Sequence, residues 1–256
     1  MKIDLIKGDC LEKMKDIPDK SINMILCDLP YEVSAEKWDN KIALNLLWEQ
    51  YKRIIKNNGV IVLTATNPFA SELVMSNKEW FKYEWIWDKE QGTNQFLKDY
   101  QPLRKHEQVL VFYKNKPTYN PIMVKSWRRE IKIRQETNDK ITGVESKEKT
   151  SYDSKGYKYP TTILPINRPH WREGRYHSCQ KPILLMQYLI ETYTNKGDLV
   201  LDNCMGSATS AIACLNIDRN FIGIELDDTY FETCKNRINT YINDNNVQDI
   251  QLNISE

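Results

Sequence analysis

Short runs rich in β-branched and aromatic residues recur along this 256-residue sequence, and helical patterns separate many of them. Seven such runs are candidate strands: IDLIK, INMILC, GVIVLTA, YEWIWDK, EQVLVFY, DLVLD and NFIGIEL. Parallel strands need long crossover connections, which are usually helices. The alternation therefore predicts an α/β fold with a mostly parallel seven-stranded sheet and helices on both faces.

Three segments show helical spacing of apolar residues. NKIALNLLWEQYKRIIKNNG is predicted to be helical up to Gly59, and KPILLMQYLIETYTNKG is predicted to begin at Pro182 and stop at Gly197. The third runs from Asp228 to about Ile242 and places its apolar residues on one face: Phe231, Cys234, Ile238, Tyr241 and Ile242. Residues 115–175 show no sustained period, so we predict one domain, formed by 1–114 and 176–256, interrupted by an insertion.

Composition excludes several classes of protein. Hydrophobic residues make up 41% and charged residues 28% of the chain, and no apolar run approaches the roughly 18 residues that a membrane span needs. The N-terminal stretch MKIDLIKGDC meets charge too soon for a secretory signal, so we expect a soluble protein of the cytoplasm. The six cysteines form no Cys-x-x-Cys pair, which disfavours a zinc site or a disulfide framework.

The charge is unevenly distributed although the net charge is only +1. Between Lys114 and Arg175 there are 15 Lys and Arg residues against 7 Asp and Glu residues. In SWRREIKIRQ and NRPHWREGRYH, arginines alternate with Trp, Tyr and His, a mixture that contacts phosphates and stacks on bases. The insertion is therefore a predicted nucleic-acid contact, with these candidate residues for phosphate or guanine: Arg128, Arg129, Arg134, Arg172 and Arg175.

Carboxylates follow the predicted ends of four strands, at Asp9, Asp28, Asp202 and Glu225. Any one of them alone is typical of a helix cap or a turn. Together they stand where open α/β sheets bind ligands, beyond the carboxyl ends of the strands. The turn after Asp202 has one glycine where a pyrophosphate cradle has three, and no Gly-Lys-Ser/Thr is present. The pattern therefore favours a nucleoside without phosphates over a dinucleotide or ATP.

Several segments resemble one enzyme family. DLPY at 28–31 looks like the Asp-Pro-Pro-Tyr signature of DNA methyltransferases that act on amino groups, and DNCMGSAT at 202–209 resembles their Asp-Pro-Phe-x-Gly-Ser-Gly-Thr cofactor turn. RKHEQVLVFYK is similar to a further family segment, and HSCQKP is similar to the family's His-Pro-Thr-Gln-Lys-Pro. The signature precedes the cofactor turn, as in the β group of these enzymes. The likeness covers nearly the whole chain apart from the insertion.

The resemblance implies a Rossmann-like methyltransferase fold and transfer of a methyl group from S-adenosylmethionine to the N6 amine of adenine in DNA, after base flipping. Asp28 and the carbonyl of Leu29, held by Pro30, would accept the amine hydrogens, and Tyr31 would stack on the base. In this family an Asp at the first signature position goes with adenine, whereas Ser goes with cytosine. No metal is required, and the insertion 115–175 would be the target-recognition segment.

Cofactor contacts also follow from the resemblance. Asp9 with Cys10 would lie near the cofactor adenine, Glu225 with Leu226 would hold the ribose, and Lys181 would lie near the methionine carboxylate. Five residues of the turn would surround the methionine part: Asp202, Met205, Gly206, Ser207 and Thr209. Departures from the family pattern predict a looser turn or a lower affinity, and they are Asn203, Cys204, Ala208, Ser178 and Cys179. The histidines are predicted to be structural or to contact phosphate: His106, His170 and His177.

Other readings stay open on the sequence. An N4-cytosine DNA methyltransferase and an RNA adenine methyltransferase share the amine chemistry, and a catalytically silent relative would keep only the nucleic-acid binding. A protein-glutamine methyltransferase would be expected to carry Asn at position 28, where Asp stands. A nicotinamide oxidoreductase is disfavoured by the missing glycines. The sequence also leaves a homodimer open.

Overall fold

The computed structural model describes residues 1–31, 42–126, 131–134, 137–139, 144–146, 150–169, 176 and 180–255. The chain divides into two compact units. The larger unit consists of Met1–Asn120 and Thr162–Glu256, and the smaller unit is Pro121–Thr161. The wider boundary predicted from sequence, 115–175, and its role in target recognition stay predictions.

The part of the larger unit that the structure describes contains a nine-stranded sheet. Its strands in chain order are β1 (Lys2–Lys7), β2 (Ile22–Asp28), β3 (Ile55–Ala65), β4 (Phe81–Thr93), β5 (Arg104–Phe112), β6 (Ile163–Pro165), β7 (Leu199–Asp202), β8 (Asn220–Glu225) and β9 (Gln251–Ser255). All seven predicted strands are present. The short strands β6 and β9 extend the sheet at its two edges.

The strand order across the sheet is β6-β4-β5-β3-β2-β7-β8-β1-β9. Every neighbouring pair is parallel except β3 with β5 and β4 with β5, so only β5 runs against the others. The carboxyl ends of the eight parallel strands therefore lie along one edge, which is called here the carboxyl edge. The predicted α/β fold with a mostly parallel sheet is confirmed.

Helices cover both faces of this sheet. They are α1 (Cys10–Lys13), α2 (Leu44–Ile54), α3 (Phe69–Ser76), α4 (Ile183–Tyr193), α5 (Thr209–Asn216) and α6 (Asp228–Asp244). Successive strand residues alternate between faces, so Met24 and Leu26 pack with residues of α4, α5 and α6, while Ile25 and Cys27 pack with residues of α1, α2 and α3. No helix within the described ranges is long and apolar enough to span a membrane.

Two helix ends differ from the sequence-based expectation. The helix predicted to reach Gly59 ends at Ile54, because Ile55 already pairs with Ile22 at the start of β3. The helix predicted to reach Gly197 ends at Tyr193, where Thr194 takes up an extended conformation and donates its hydroxyl to the Ile190 carbonyl at 2.5 Å. At both ends, the helix predicted from sequence continues past the last helical residue, but a strand pairing or a side-chain hydrogen bond ends the helix earlier.

Three antiparallel strand pairs make up the regular structure described in the smaller unit. They are Val124–Lys125 with Tyr157–Lys158, Ile131–Arg134 with Thr150–Asp153, and Thr137–Asp139 with Val144–Ser146. The residues predicted from sequence to lack a helical or strand period thus contain short ladders of two to four residues. Ladders this short carry too few alternating positions to be visible as a period.

Candidate active site

A cavity of about 710 Å³ opens at the carboxyl edge of the larger unit. All fourteen residues that the resemblance assigns to catalysis or to the cofactor line it: Asp9, Cys10, Asp28, Leu29, Pro30, Tyr31, Lys181, Asp202, Met205, Gly206, Ser207, Thr209, Glu225 and Leu226. They come from segments that follow β1, β2, β7 and β8, and from the chain just before α4. The structure therefore brings them together, and their individual roles stay predictions.

Asp28 is the last residue of β2, and protein donors surround its carboxylate. Oδ1 accepts hydrogen bonds from the hydroxyls of Tyr31 and Thr64, and Oδ2 accepts one from Lys181 Nζ at 2.5 Å. Thr64 is placed there by the parallel register of β2 and β3, which sets it beside Asp28. Both oxygens of the predicted amine acceptor are thus bonded to the protein itself.

A buried chain of alternating charges continues from Asp28. Lys181 Nζ lies 3.3 Å from Glu107 Oε2, and Glu107 Oε1 lies 2.6 Å from Lys89 Nζ. Lys89 comes from β4 and Glu107 from β5, and both lysine side chains are only 7% exposed. Because an isolated buried charge is costly, each member of this chain depends on its neighbours.

The ionisation states follow from this arrangement. Burial by itself would lower the pKa of Lys181, but the Asp28 and Glu107 carboxylates outweigh burial and hold that pKa well above the ordinary lysine value. Burial would likewise raise the pKa of Glu107, but the ammonium groups of Lys181 and Lys89 outweigh it and lower that pKa. The two shifts agree with each other, so Lys181 is a cation and Glu107 an anion near neutral pH.

Tyr31 lies with its ring against Phe69, at a centroid distance of 5.2 Å and an interplanar angle of 35°. Its hydroxyl also lies 2.9 Å from the Thr64 carbonyl. Burial, followed by the charge of Asp28, raises the pKa of Tyr31 well above its usual value, so the phenol stays protonated. Pro30 joins Tyr31 to Leu29 along the chain, and the Leu29 side chain is buried in the apolar cluster that includes residues of α2.

The turn between β7 and α5 contains two residues with left-handed backbone, Gly206 at φ +52° and Ala208 at φ +57°. The family has glycine at the position of Ala208, so the methyl group here adds strain that glycine would not. Asp202 holds the turn by accepting the amide of Cys204 at 3.2 Å and the hydroxyl of Ser210. Burial raises the pKa of Asp202 to about 7, against the opposing effect of these donors.

Residues of β8 and α6 hold the other side of the turn. Glu225 Oε2 accepts the amide of Gly206, and its Oε1 accepts the amide of Asp227, both at 2.9 Å. Arg237 of α6 is buried and donates to the Ser207 carbonyl at 2.6 Å and to Thr209 Oγ1 at 3.1 Å. Burial raises the pKa of Glu225. The turn is therefore fixed by side chains from two elements.

The remaining predicted cofactor contacts, Asp9, Cys10 and Leu226, also line the cavity. Asp9 caps α1, because its Oδ1 accepts the amides of Leu11 at 2.8 Å and Glu12 at 3.2 Å. Cys10 is buried next to it, and Leu226 is exposed beside Glu225. Asp9 therefore caps a helix, which is the role expected of a single acid at the end of a strand, and it also lines the cavity.

The residues present fit S-adenosylmethionine. Three of the carboxylates that line the cavity, those of Asp9, Asp202 and Glu225, suit hydroxyl groups and an ammonium group, and they would repel phosphates. Leu226 would offer apolar surface next to the ribose site at Glu225, and Met205 would lie with the turn around the methionine part. Asp202 and the glycine turn would hold the methionine part, with Glu225 at the ribose.

The predicted nucleic-acid residues are less fully described. Arg134 is the last residue of the strand Ile131–Arg134 in the smaller unit. The others lie outside the described residues: Arg128, Arg129, Arg172 and Arg175. Among the histidines, His106 is exposed on β5, whereas His170 and His177 lie outside the described residues. These assignments stay predictions.

The functional residues that the sequence analysis missed include four that hold the site by hydrogen bonds or ion pairs: Thr64, Lys89, Glu107 and Arg237. Lys89 lies within β4 and Glu107 within β5, and a charge inside a strand pattern is a signal that could have identified them. Thr64 carries no such signal, because Thr is common in strands. Arg237 is charged within the apolar face of α6, which is again visible in the sequence once the face is defined.

Asp28 at the end of β2 and Asp202 at the end of β7 line one cavity, and β2 and β7 are neighbours in the sheet. Residues 22–236 match the N6_N4_Mtase family, described as DNA methylase. The chain belongs to this DNA methylase family.

The similarity to individual members extends over most of the chain. The DNA adenine methyltransferase YhdJ of Escherichia coli K12 is 25% identical over 89% of this chain and 80% of its own length. The type II methyltransferase M.HinfI of Haemophilus influenzae is 26% identical over 91% of this chain and 67% of its own. The crystal structure of the M1.HpyAVI–SAM complex is 25% identical, with a TM-score of 0.66 over 93% of this chain and 99% of that one. S-adenosylmethionine is the cofactor of this family.

Proposed function

We propose that this protein transfers a methyl group from S-adenosylmethionine to the N6 amine of an adenine in DNA, after the adenine has left the base stack. The observation that carries the proposal is the shared cavity, which is lined by Asp28 and the rest of the signature tetrapeptide and also by the glycine turn and Glu225. An amine held at Asp28 and a nucleoside held at the turn would face each other there. Adenine rather than cytosine is favoured by Asp at position 28.

Asp28 supplies what the reaction needs at the nitrogen. The exocyclic amine of adenine is a poor nucleophile because its lone pair is delocalised into the ring, and positive charge builds on the nitrogen during transfer. A carboxylate and a backbone carbonyl that accept its hydrogens favour a pyramidal nitrogen and stabilise the charge. The amine takes over a position that Tyr31 or Thr64 holds at Oδ1, while Lys181 keeps Oδ2 in place.

S-adenosylmethionine supplies, when bound, a methyl group on a sulfonium leaving group. The chain's own residues do the rest by positioning. Asp202, Ser207 and Arg237 fix the turn that faces the methionine part, and Glu225 fixes the other end. The released Tyr31 ring would turn from Phe69 to stack on the base.

The decisive experiment uses tritium-labelled S-adenosylmethionine and genomic duplex DNA, followed by digestion and identification of the modified nucleoside. N6-methyladenine is expected, whereas N4-methylcytosine would contradict the proposal, as would label in RNA but not in DNA when the two are offered in parallel reactions. Sequencing of the modified sites would give the recognition sequence.

Asp28→Ala should abolish transfer while S-adenosylmethionine binding, measured by calorimetry, stays within about twofold of the wild-type value. Asp19→Ala is the matched control, since Asp19 is an exposed acid paired with Arg53 and is not among the residues that line the cavity. Loss of both transfer and cofactor binding in Asp28→Ala would mean that the aspartate is structural.

The smaller unit and the basic stretch around it are proposed to recognise the target sequence. The support is the surplus of Lys and Arg from Lys114 to Arg175. We further propose that the protein acts in the cytoplasm, where bacterial DNA is found. Sedimentation at several concentrations would decide between a monomer and a homodimer.

A further inference from the structure

The connection between β4 and β5 is an ordered hairpin loop, residues 94–103, called here the β4–β5 loop. Its base is closed where Thr93 pairs with Arg104, and the Thr93 hydroxyl donates to the Arg104 carbonyl at 2.8 Å. At its tip the Leu97 carbonyl accepts the amides of both Tyr100 and Gln101 at 3.0 Å. The loop therefore has a defined conformation that backbone hydrogen bonds maintain.

Two aromatic side chains project from this ordered tip into solvent. Phe96 is 80% exposed and Tyr100 is 87% exposed, and these are the highest exposures among the large hydrophobic residues that the structure describes. Exposed aromatic surface of this size costs free energy unless a partner covers it. The backbone of the loop is thus held by hydrogen bonds, whereas the Phe96 and Tyr100 side chains do not pack into the hydrophobic core.

The loop stands at the rim of the active site. β4 runs parallel to β2 and β3, so its carboxyl end and the loop that follows lie at the same edge as Asp28. The residues at the two ends of the loop, Thr93, Asn94 and Arg104, line the cavity together with the signature tetrapeptide. Phe96 is two residues from Asn94, which places the aromatic tip next to the entrance.

We propose that Phe96 and Tyr100 act as a wedge that enters the DNA beside the target adenine and fills the space that the adenine leaves. The proposal rests on the proposed function, because a base must leave the duplex to reach Asp28. Aromatic side chains can replace the stacking that the departing base loses, and apolar wedges between base steps are a known way to lower the cost of unstacking.

The charge of the loop favours DNA over a protein partner. Lys98 lies between the two aromatics beside the acid Asp99, and Arg104 follows at the base, where Lys105 is paired with Asp88 at 3.1 Å. The side chains of Lys98 and Arg104 are exposed. Cations that flank stacking aromatics are the combination that tracks a phosphate backbone, whereas the core of a protein interface is depleted in charge.

The test compares two short duplexes that carry the mapped recognition sequence. In one the target adenine is paired with thymine, and in the other it faces an abasic site, so that unpairing costs less. Single-turnover methyl transfer from labelled S-adenosylmethionine is measured for wild type and for the double variant Phe96→Ala with Tyr100→Ala. Met75→Ala is the control, because Met75 is also exposed, at 62%, but lies near the end of α3, away from the carboxyl edge.

The double variant should lose about tenfold or more on the paired duplex and less than about twofold on the abasic duplex, because the wedge is needed only while the base is held in the stack. In parallel, 2-aminopurine at the target position should brighten on binding wild type and stay dim with the variant. Met75→Ala should match wild type on both duplexes, and cofactor binding by calorimetry should be unchanged in all three proteins.

Three outcomes would contradict the proposal that Phe96 and Tyr100 act as a wedge. An equal loss on both duplexes would make the loop a general DNA contact, and no loss on either would remove it from the interface. A dimer that dissociates in the variant would identify the aromatics as a protein contact. Failure of wild type to methylate any DNA would instead refute the proposed function, and the wedge with it.

Discussion

Asp28 illustrates at the residue scale how a catalytic carboxylate is held before its substrate arrives. Its oxygens already accept hydrogen bonds from Tyr31, Thr64 and Lys181. Two of these donors are neutral hydroxyls that an amine can replace, and the third is a buried cation that no substrate amine can replace cheaply. The carboxylate is therefore held at Oδ2 by the lysine, while the hydroxyl donors at Oδ1 can be replaced by the substrate amine.

Glu107 is expected to act through Lys181, and Glu107→Gln tests this. Loss of the negative charge loosens the hold on Lys181 and hence on Asp28, so kcat should fall about tenfold while the affinities for cofactor and DNA change little. Glu84→Gln is the control, because Glu84 lies on the adjacent strand and accepts a hydrogen bond from Gln108 outside this charge chain. A rise in KM with unchanged kcat would contradict a positioning role, and Glu107→Asp should restore part of the rate.

Asp202 should make cofactor binding depend on pH. Its pKa of about 7 in the folded protein lies above the ordinary value of 3.8, so the folded state retains a proton that the unfolded state has lost between these two values. Stability contributed by this proton is complete below pH 3.8 and is lost as pH rises through about 7. A cationic ligand favours the ionised carboxylate, so affinity for S-adenosylmethionine should increase as pH rises through this range.

Calorimetry in buffers of different ionisation enthalpy would measure the proton released on binding. Asp202→Asn should bind more weakly and lose this pH dependence, and S-adenosylhomocysteine, which lacks the sulfonium charge, should show a smaller effect in wild type. An affinity for S-adenosylmethionine that does not change with pH would exclude Asp202 from contact with a cationic group.

At the scale of elements, the glycine turn depends on β8 as much as on its own sequence. Gly223 pairs with Asp202 across β7 and β8, and a Cβ at this position would overlap the Met205 sulfur and the Phe221 ring. Gly223→Ala should therefore displace Met205, destabilise the protein by about 1–3 kcal/mol through overpacking and weaken cofactor binding. Thermal unfolding and calorimetry would measure the two effects. Unchanged cofactor affinity would show that the turn is set locally.

The strands and helices were largely predictable from the sequence, but the order of the strands in the sheet was not. The seven strand runs and the α6 face carried strong periods, and all of them formed. Thr64 and Glu107 reach the site because β3 lies beside β2 and β5 lies beside β3 in the sheet, and this order depends on tertiary packing that a single sequence does not display. The helix ends at Ile54 and Tyr193 were missed for the same reason, since competing strand and side-chain bonds decide them.

For the whole molecule, DNA affinity should depend on salt through the basic insertion. Replacing both Arg128 and Arg129 by Ala should weaken binding and reduce the slope of log affinity against log salt by about 2, because each phosphate contact releases counterions. The matched control replaces Lys52 and Lys78, two exposed lysines at the edge of the sheet opposite to the cavity. An unchanged slope in the arginine variant would remove these residues from the interface.

The self-bonded state of Asp28 has a consequence for the enzyme when no DNA is bound. Oδ1 of Asp28 already accepts hydrogen bonds from Tyr31 and Thr64, and Oδ2 accepts one from Lys181, so the carboxylate has little capacity left to orient a stray water or a free amine. We therefore expect the idle enzyme to leave its cofactor intact, with wasteful solvolysis suppressed until an adenine displaces the phenol. The hydrogen bonds that occupy Asp28 in the absence of DNA would thus protect the cofactor from reaction with anything but the target base.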